Sequence, residues 1–251
     1  AGGDGGRPLR PPAAIGSGGR GGIAMPVRSG LLERRYTFEY DLGQWTFGSI
    51  QVVRERSSGK LMTCKTVPKA LVPGRNDVLA RLHELKALSH PHVCSISDAQ
   101  EDQDNFFILS DACCGGDLGE WLSRLDESQC WLVEDTVAAY VGQVVTALAY
   151  CHSRLVHHRD LRPSSILLTT KMPDAVVKVS DFGLAEIFDP TCQIAQKNPN
   201  PFAAPEMRSE SGRVTGGAPD VWSVGAIASA LLTGQPPRDE DYVLSPGRLL
   251  R

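Results

Sequence analysis

The sequence predicts an α+β protein of two lobes, on three observations. Runs rich in β-branched and aromatic residues crowd the first third, long apolar-periodic segments fill the remainder, and no internal repeat interrupts that order. A strand-rich part followed by a helical part is the pattern of an α+β fold. At 251 residues, with 41% hydrophobic and 22% charged side chains, the chain has the length for one large domain or two small lobes.

Composition narrows the function classes. A net charge of −3 gives no overall reason to bind nucleic acid or an anionic membrane. The longest apolar stretch, Val221 to Leu232, is too short to span a bilayer and contains Ser223 and Ser229, so it reads as a buried helix. Seven cysteines without C-x-x-C spacing read as free thiols in a reducing compartment, and the expected location is intracellular and cytoplasmic.

Residues 1–30 are dominated by Gly, Pro and Arg and cannot bury enough apolar surface to offset their ordering entropy, so disorder is expected there. Structure is expected from about Leu31. "YTFEYDLGQWTFGSIQVVRER" reads as two strands around a glycine-bearing turn, and "KLMTCKTVPK" as a third. Between Asn76 and Leu88, Val78, Leu79, Leu82, Leu85 and Leu88 recur at helical spacing. "NFFILSDA" reads as a buried strand, "TVAAYVGQVVTALAYCHS" as a helix and "AVVKVSDFG" as a short strand. "APDVWSVGAIASALLTG" opens on a helix-start signal and closes on Gly234, which suits a helix C-terminus.

The chemistry-bearing residues lie between these elements. Asp160, in the turn of "HHRDLRPSSILL", can accept a proton from a hydroxyl; Lys65 in "TCK" is a cation in mid-strand; Asp181 in "SDFG" is a hard oxygen donor. Each alone has a plainer reading, as a capping aspartate, an exposed strand lysine and a simple turn. Together with the turn "LGQWTFGSI", "AAPE" at 203–206 and "DVWSVG" at 220–225, their order and spacing resemble the eukaryotic protein kinase family. "HPHV", "CCGGDL" and "YCHSRLVHHRDL" look most like its calcium/calmodulin-dependent Ser/Thr type. The resemblance covers roughly residues 36–245.

The resemblance implies a bilobal protein-kinase fold with its N-lobe at 31–111 and a partial C-lobe at 112–251, ATP and Mg²⁺ as cofactors, and a protein substrate or regulated protein partner. Asp160 would be the base, Lys65 and Arg162 the cations on phosphate, and Asp181 with Ser165 the Mg²⁺ ligands. Gly43 and Gly48 would flank the phosphates, and Ile50 and Leu167 would sandwich adenine. Backbone groups of Asp111 and Cys113 would hydrogen-bond the base, behind which Ser110 is a small gatekeeper and Thr63 replaces the usual Ala. His158, Phe182 and Leu85 would join the lobes as apolar spine residues. Adjacent Cys113 and Cys114, with no further ligands nearby, are expected to be ordinary hinge residues.

The pattern also breaks. The helix position that normally pairs with the strand lysine holds Arg81; Glu84 lies three residues on, about 60° around the helix and about 4.5 Å along it, where a register shift could substitute it. Trp45 replaces the middle glycine of G-x-G-x-x-G, adding bulk where phosphate should lie or folding over the cleft as a lid. Ser165 replaces the usual Asn, so water would bridge to the metal. Asn198-Pro199 replaces Gly-Thr and removes a hydroxyl that contacts Asp160; Thr191 is the only hydroxyl between Phe182 and Glu206. The family's last helices, with the arginine partner of Glu206, are absent, and the first residue is Ala rather than Met, so a fragment or a processed product is expected. The intact Lys65–Asp160–Asp181 set favours an enzyme; the replaced supporting groups favour a pseudokinase acting as scaffold or allosteric partner.

Overall fold

The computed structural model describes residues 30–72, 76–128, 133–171, 175–189, 200–208 and 216–237. The expectations for residues 1–29, Thr191, Asn198-Pro199 and the segment after 237 lie outside these.

A short helix, α1 (Gly30–Arg35), leads into a five-stranded antiparallel sheet of β1 (Tyr36–Trp45), β2 (Gly48–Glu55), β3 (Leu61–Pro68), β4 (Ile96–Glu101) and β5 (Asn105–Asp111), ordered β1-β2-β3-β5-β4. β5 is the most apolar strand, with Phe106, Phe107, Ile108 and Leu109 all buried. Its placement between β3 and β4 follows, since an interior strand is covered on both faces. β4, "ISDAQE", escapes a pattern search because only Ala99 is buried, as befits an edge strand.

α2 (Val78–Leu85) covers this sheet through Val78, Leu82 and Leu85. It ends before the expected Leu88 because the amides of Lys86, Ala87 and Leu88 donate to the carbonyls three residues back, at 3.2, 3.1 and 3.1 Å, tightening the last turn. Among the described residues the helical part comprises α3 (Leu118–Ser128), α4 (Glu134–His152), α5 (Leu184–Phe188) and α6 (Ala218–Thr233). Asp117 starts α3, its Oδ1 accepting the Glu120 amide at 2.9 Å, an N-terminal cap. Gly234 closes α6 at φ 71°, its N–H donating to the Ala230 carbonyl at 2.8 Å. α6 packs on α4, and Val144, Ala147, Leu148, Ile227, Ala230 and Leu231 belong to one buried cluster.

Between the two parts sits a small antiparallel ribbon, β6 (Ile166–Leu168) with β7 (Val177–Val179). Single bridges tie Val93 to Val179 and Asp117 to Leu167. The ribbon thus anchors both the turn before it, which carries Asp160, and the turn after it, which carries Asp181. Among the described residues, no helix is long and apolar enough to cross a membrane.

Candidate active site

The cleft between sheet and helices gathers Lys65, Asp160, Arg162 and Asp181. Lys65 projects from β3, one strand in from Ile50, its register partner on β2. Its ammonium pairs with the Asp181 carboxylate, and both side chains are largely buried. Glu84 is exposed, so the substitution that a register shift would have allowed does not occur. Arg81 turns elsewhere, its Nη1 donating to the Glu186 carbonyl at 3.4 Å. Asp181 takes the place of a helix carboxylate beside Lys65.

Asp160 is held from several sides. Oδ1 accepts from Arg162 Nη2 at 2.7 Å and Nε at 3.1 Å, and from Asn200 Nδ2 at 3.1 Å. Oδ2 accepts the Thr46 hydroxyl at 2.8 Å. Asn200, which also donates to the Leu161 carbonyl at 3.1 Å, supplies a side-chain contact of the kind that the Asn198-Pro199 replacement was expected to remove. Nothing local in the sequence marks Asn200 for this, because it lies forty residues from Asp160.

The backbone that aims Asp160 is strained and braced. Arg159 has φ 61°, a conformation that costs a non-glycine residue about 1–3 kcal/mol. Asp220, near the N-terminus of α6, holds it: Oδ1 accepts the Arg159 amide and Oδ2 the His158 amide, both at 2.8 Å, and His152 Nε2 lies 2.8 Å from Oδ2. Burial alone would raise this carboxyl's pKa, but the bonds from His152 and the two amides, with the nearby His158, hold it below the ordinary value. Sequence reasoning saw "DVWSVG" as a motif but gave Asp220 no task; a carboxylate opening an otherwise apolar helix was the signal available.

Asp181 is also in the left-handed region, at φ 69°, and Ser180 donates to its Oδ2 at 3.0 Å. Gly183 follows at φ 77°; a Cβ there would meet Leu85 Cδ2 at 2.8 Å, so the position needs glycine twice over. α5 starts at once. His158 and Phe182 rings meet edge to face at 5.2 Å, and Leu85 packs beside Phe182 in one recess, as expected of spine residues. Glu186 of α5 sits beside Arg159 Nε at 2.9 Å and His157 Nδ1 at 3.1 Å.

At the other end of the cleft, Ile50 and Leu167 are half-buried, and Leu167 bridges to Asp117 at the end of the "DACCGGD" segment. Ser110 is paired in register with Thr63, and their hydroxyls lie 2.7 Å apart. Ser110 lines a recess of about 400 Å³, counting solvent at its mouth, with Lys65, Leu85, Cys94, Ile108, Asp181 and Phe182. Asp111 is exposed and pairs through its side chain with Lys60 at 2.7 Å. Cys113 is half-buried, and Gly43 lies exposed on β1. Gly48 closes the β1–β2 turn where a Cβ would come within 2.0 Å of the Thr66 carbonyl oxygen.

Among the described residues, no group of three His, Cys, Asp or Glu forms a ready metal cage. Magnesium is often held by one or two carboxylates, with phosphate and water completing its shell. Asp181 fits as one such carboxylate. Ser165 is buried against Ser180, the residue preceding Asp181, and its backbone carbonyl accepts the Ser180 amide at 2.9 Å.

A lysine, two aspartates and a glycine-flanked hairpin thus meet across a two-part cleft. A family model for the protein kinase domain matches residues 36–245, and the chain belongs to that family. It is 30% identical to calcium-dependent protein kinase 22 of Arabidopsis thaliana over 82% of this chain and 42% of that protein. It is also 30% identical to calcium/calmodulin-dependent protein kinase type 1B of Rattus norvegicus, over 80% of this chain and 57% of that protein. The chain thus spans about half the length of these relatives. The crystal structure of Rad53 in complex with AMP-PNP superposes with a TM-score of 0.67 at 26% identity, over 82% of this chain and 50% of that one.

Proposed function

We propose that this domain binds ATP in the cleft and transfers its γ-phosphate, slowly, to a Ser or Thr hydroxyl of a protein substrate. The observation that carries this reading is the convergence of Lys65, Asp160 and Asp181 on one cleft, with Asp160 braced by Arg162, Asn200 and, through the backbone, Asp220.

In this reading adenine lies between Ile50 and Leu167 against the backbone of Asp111 and Cys113. The phosphates run beneath the hairpin between Gly43 and Gly48, with Lys65 on the α- and β-phosphates. Asp181 would hold Mg²⁺, with Ser165 as a further oxygen through water; the ion would neutralise charge on the phosphates. Asp160 accepts the proton as the hydroxyl oxygen bonds to the γ-phosphorus, the bond to the ADP oxygen breaks, and ADP departs. Arg162, now on Asp160, is within the same cluster and can neutralise charge on the transferring group.

One observation favours a second reading, a pseudokinase that serves as a scaffold. Lys65 is committed to Asp181 rather than to a helix carboxylate, and Arg81 occupies the position that would supply one. Phosphotransfer to a generic Ser/Thr substrate separates the two. Activity that disappears in Asp160→Asn supports the enzyme; nucleotide binding with no turnover in either protein supports the scaffold.

A further inference from the structure

The tip of the β1–β2 hairpin does not stand away from the cleft. Three consecutive side chains reach into it, each against a different partner. The Trp45 ring lies under the Lys65 ammonium, 4.6 Å from nitrogen to ring centroid. Thr46 donates its hydroxyl to Asp160 Oδ2 at 2.8 Å, across 114 residues of sequence. Phe47 is buried, with its ring 5.6 Å from that of Phe188 on α5 and 5.1 Å from that of Trp45.

We propose that Trp45-Thr46-Phe47 is an internal occupant of the cleft, an autoinhibitory latch that holds the positions of the triphosphate and of the acceptor hydroxyl. The proposal rests on the reading of Lys65 and Asp160 given above. A hydroxyl of threonine hydrogen-bonded to the base carboxylate occupies the place a substrate Ser or Thr would need. An indole face against Lys65 takes the cation that phosphate would need. Nucleotide triphosphate and closed hairpin therefore compete for Lys65, and protein substrate and closed hairpin compete for Asp160.

The closed arrangement also carries a built-in weakness. Trp45 Nε1 is buried with no hydrogen-bond acceptor, a cost that opening relieves. Phe47 pulls the other way, since opening exposes an aromatic ring from the main buried cluster. The latch is thus held by Phe47, the Thr46 hydroxyl and the Trp45 face on Lys65, and weakened only at the unpartnered Trp45 N–H. Adenine recognition should be indifferent to it, because the three tip side chains engage Lys65, Asp160 and Phe188 rather than Ile50, Leu167 or the segment at Asp111 and Cys113.

The apparent affinity of a ligand falls in proportion to the fraction of protein in the open state. Loss of one hydroxyl bond to a carboxylate shifts an open–closed balance by about tenfold. The test is calorimetric titration of the full chain with adenosine and, separately, with AMP-PNP and Mg²⁺, for wild type, Thr46→Val and Trp45→Gly. Thr46→Val is the deciding variant, because it adds nothing that could contact phosphate. Expected is AMP-PNP binding tighter by about tenfold in Thr46→Val and by at least as much in Trp45→Gly, with adenosine affinity unchanged within about twofold. Acrylamide quenching of the Trp45 contribution, isolated by difference from Trp45→Phe, should rise when AMP-PNP binds. Equal AMP-PNP affinity in wild type and Thr46→Val overturns the latch while leaving the nucleotide site standing. If neither adenosine nor AMP-PNP binds any of the three, the nucleotide reading falls and the latch falls with it.

Discussion

Asp220→Ala should cost stability and activity together. The carboxylate is buried and accepts two backbone amides at 2.8 Å, with His152 Nε2 a further 2.8 Å away. Truncation leaves the His158 and Arg159 amides without their acceptors, at about 1–3 kcal/mol each. The left-handed Arg159 also loses the bond that offsets its strain. A total of about 3–5 kcal/mol is expected, and at roughly 2–4 °C per kcal/mol for a chain of this size the melting temperature should fall by about 10 °C. Asp220→Asn, which keeps the shape and one acceptor oxygen, should lose about half as much. The pH dependence has a definite sign. Because the folded pKa is depressed, the carboxylate's contribution is fully present above the unfolded value, about 4, and is lost as pH falls through the folded value. The stability gap between wild type and Asp220→Asn should therefore be flat from pH 7 to pH 5 and narrow only below about pH 4. Urea unfolding across this range, with thermal melts at pH 7, measures all three quantities. A melting temperature within about 2 °C of wild type in Asp220→Ala would refute the bracing argument.

Three further outcomes are expected. Ser110→Met should exclude ATP-competitive inhibitors that carry a bulky aryl group, because Ser110 opens onto the recess lined by Cys94 and Phe182; equal affinity for both proteins in a displacement assay would place adenine elsewhere. Thiol labelling at pH 8, read by mass spectrometry, should modify exposed Cys114 and spare Cys64 and Cys151, whose thiols burial pushes up to about 12; rapid native labelling of either buried site would contradict their packing. Ser165→Asn should raise phosphotransfer several-fold by restoring a longer oxygen donor, whereas Arg81→Glu should change it by less than about twofold, since the Arg81 guanidinium faces the Glu186 carbonyl; a larger effect of Arg81→Glu in steady-state rates would mean that it does act on Lys65.

Much of this protein is legible in its sequence. The α+β division follows from apolar period: alternation and β-branching in β2 and β3, a continuous apolar run in β5, and helical spacing in α2, α4 and α6. Lys65, Asp160 and Asp181 declared themselves by motif because each sits in a short segment whose chemistry is local. Less visible were α3, the edge strand β4, where only Ala99 is buried, and α5, whose five residues are too few for a helical period to show.

What the tertiary structure alone decided are the pairings between segments far apart in sequence. Glu84 was the nearest carboxylate by helical geometry, yet Lys65 chose Asp181, because α2 turns Glu84 to solvent and the φ of 69° at Asp181 accompanies a side chain aimed into the cleft. The loss of a hydroxyl before "FAAPE" suggested a bare Asp160, yet Asn200 reaches it from forty residues away. Asp220, silent as a sequence position, braces the loop that carries Asp160. Trp45 could be read equally as an obstruction or a lid; burial of Phe47 against Phe188 is what draws the hairpin tip down and sets Thr46 on Asp160. Local propensity records which strand or turn a residue prefers. Which carboxylate a buried cation meets is settled by packing, since desolvation makes an unpaired buried charge costly and selects whichever partner the assembled core brings within reach.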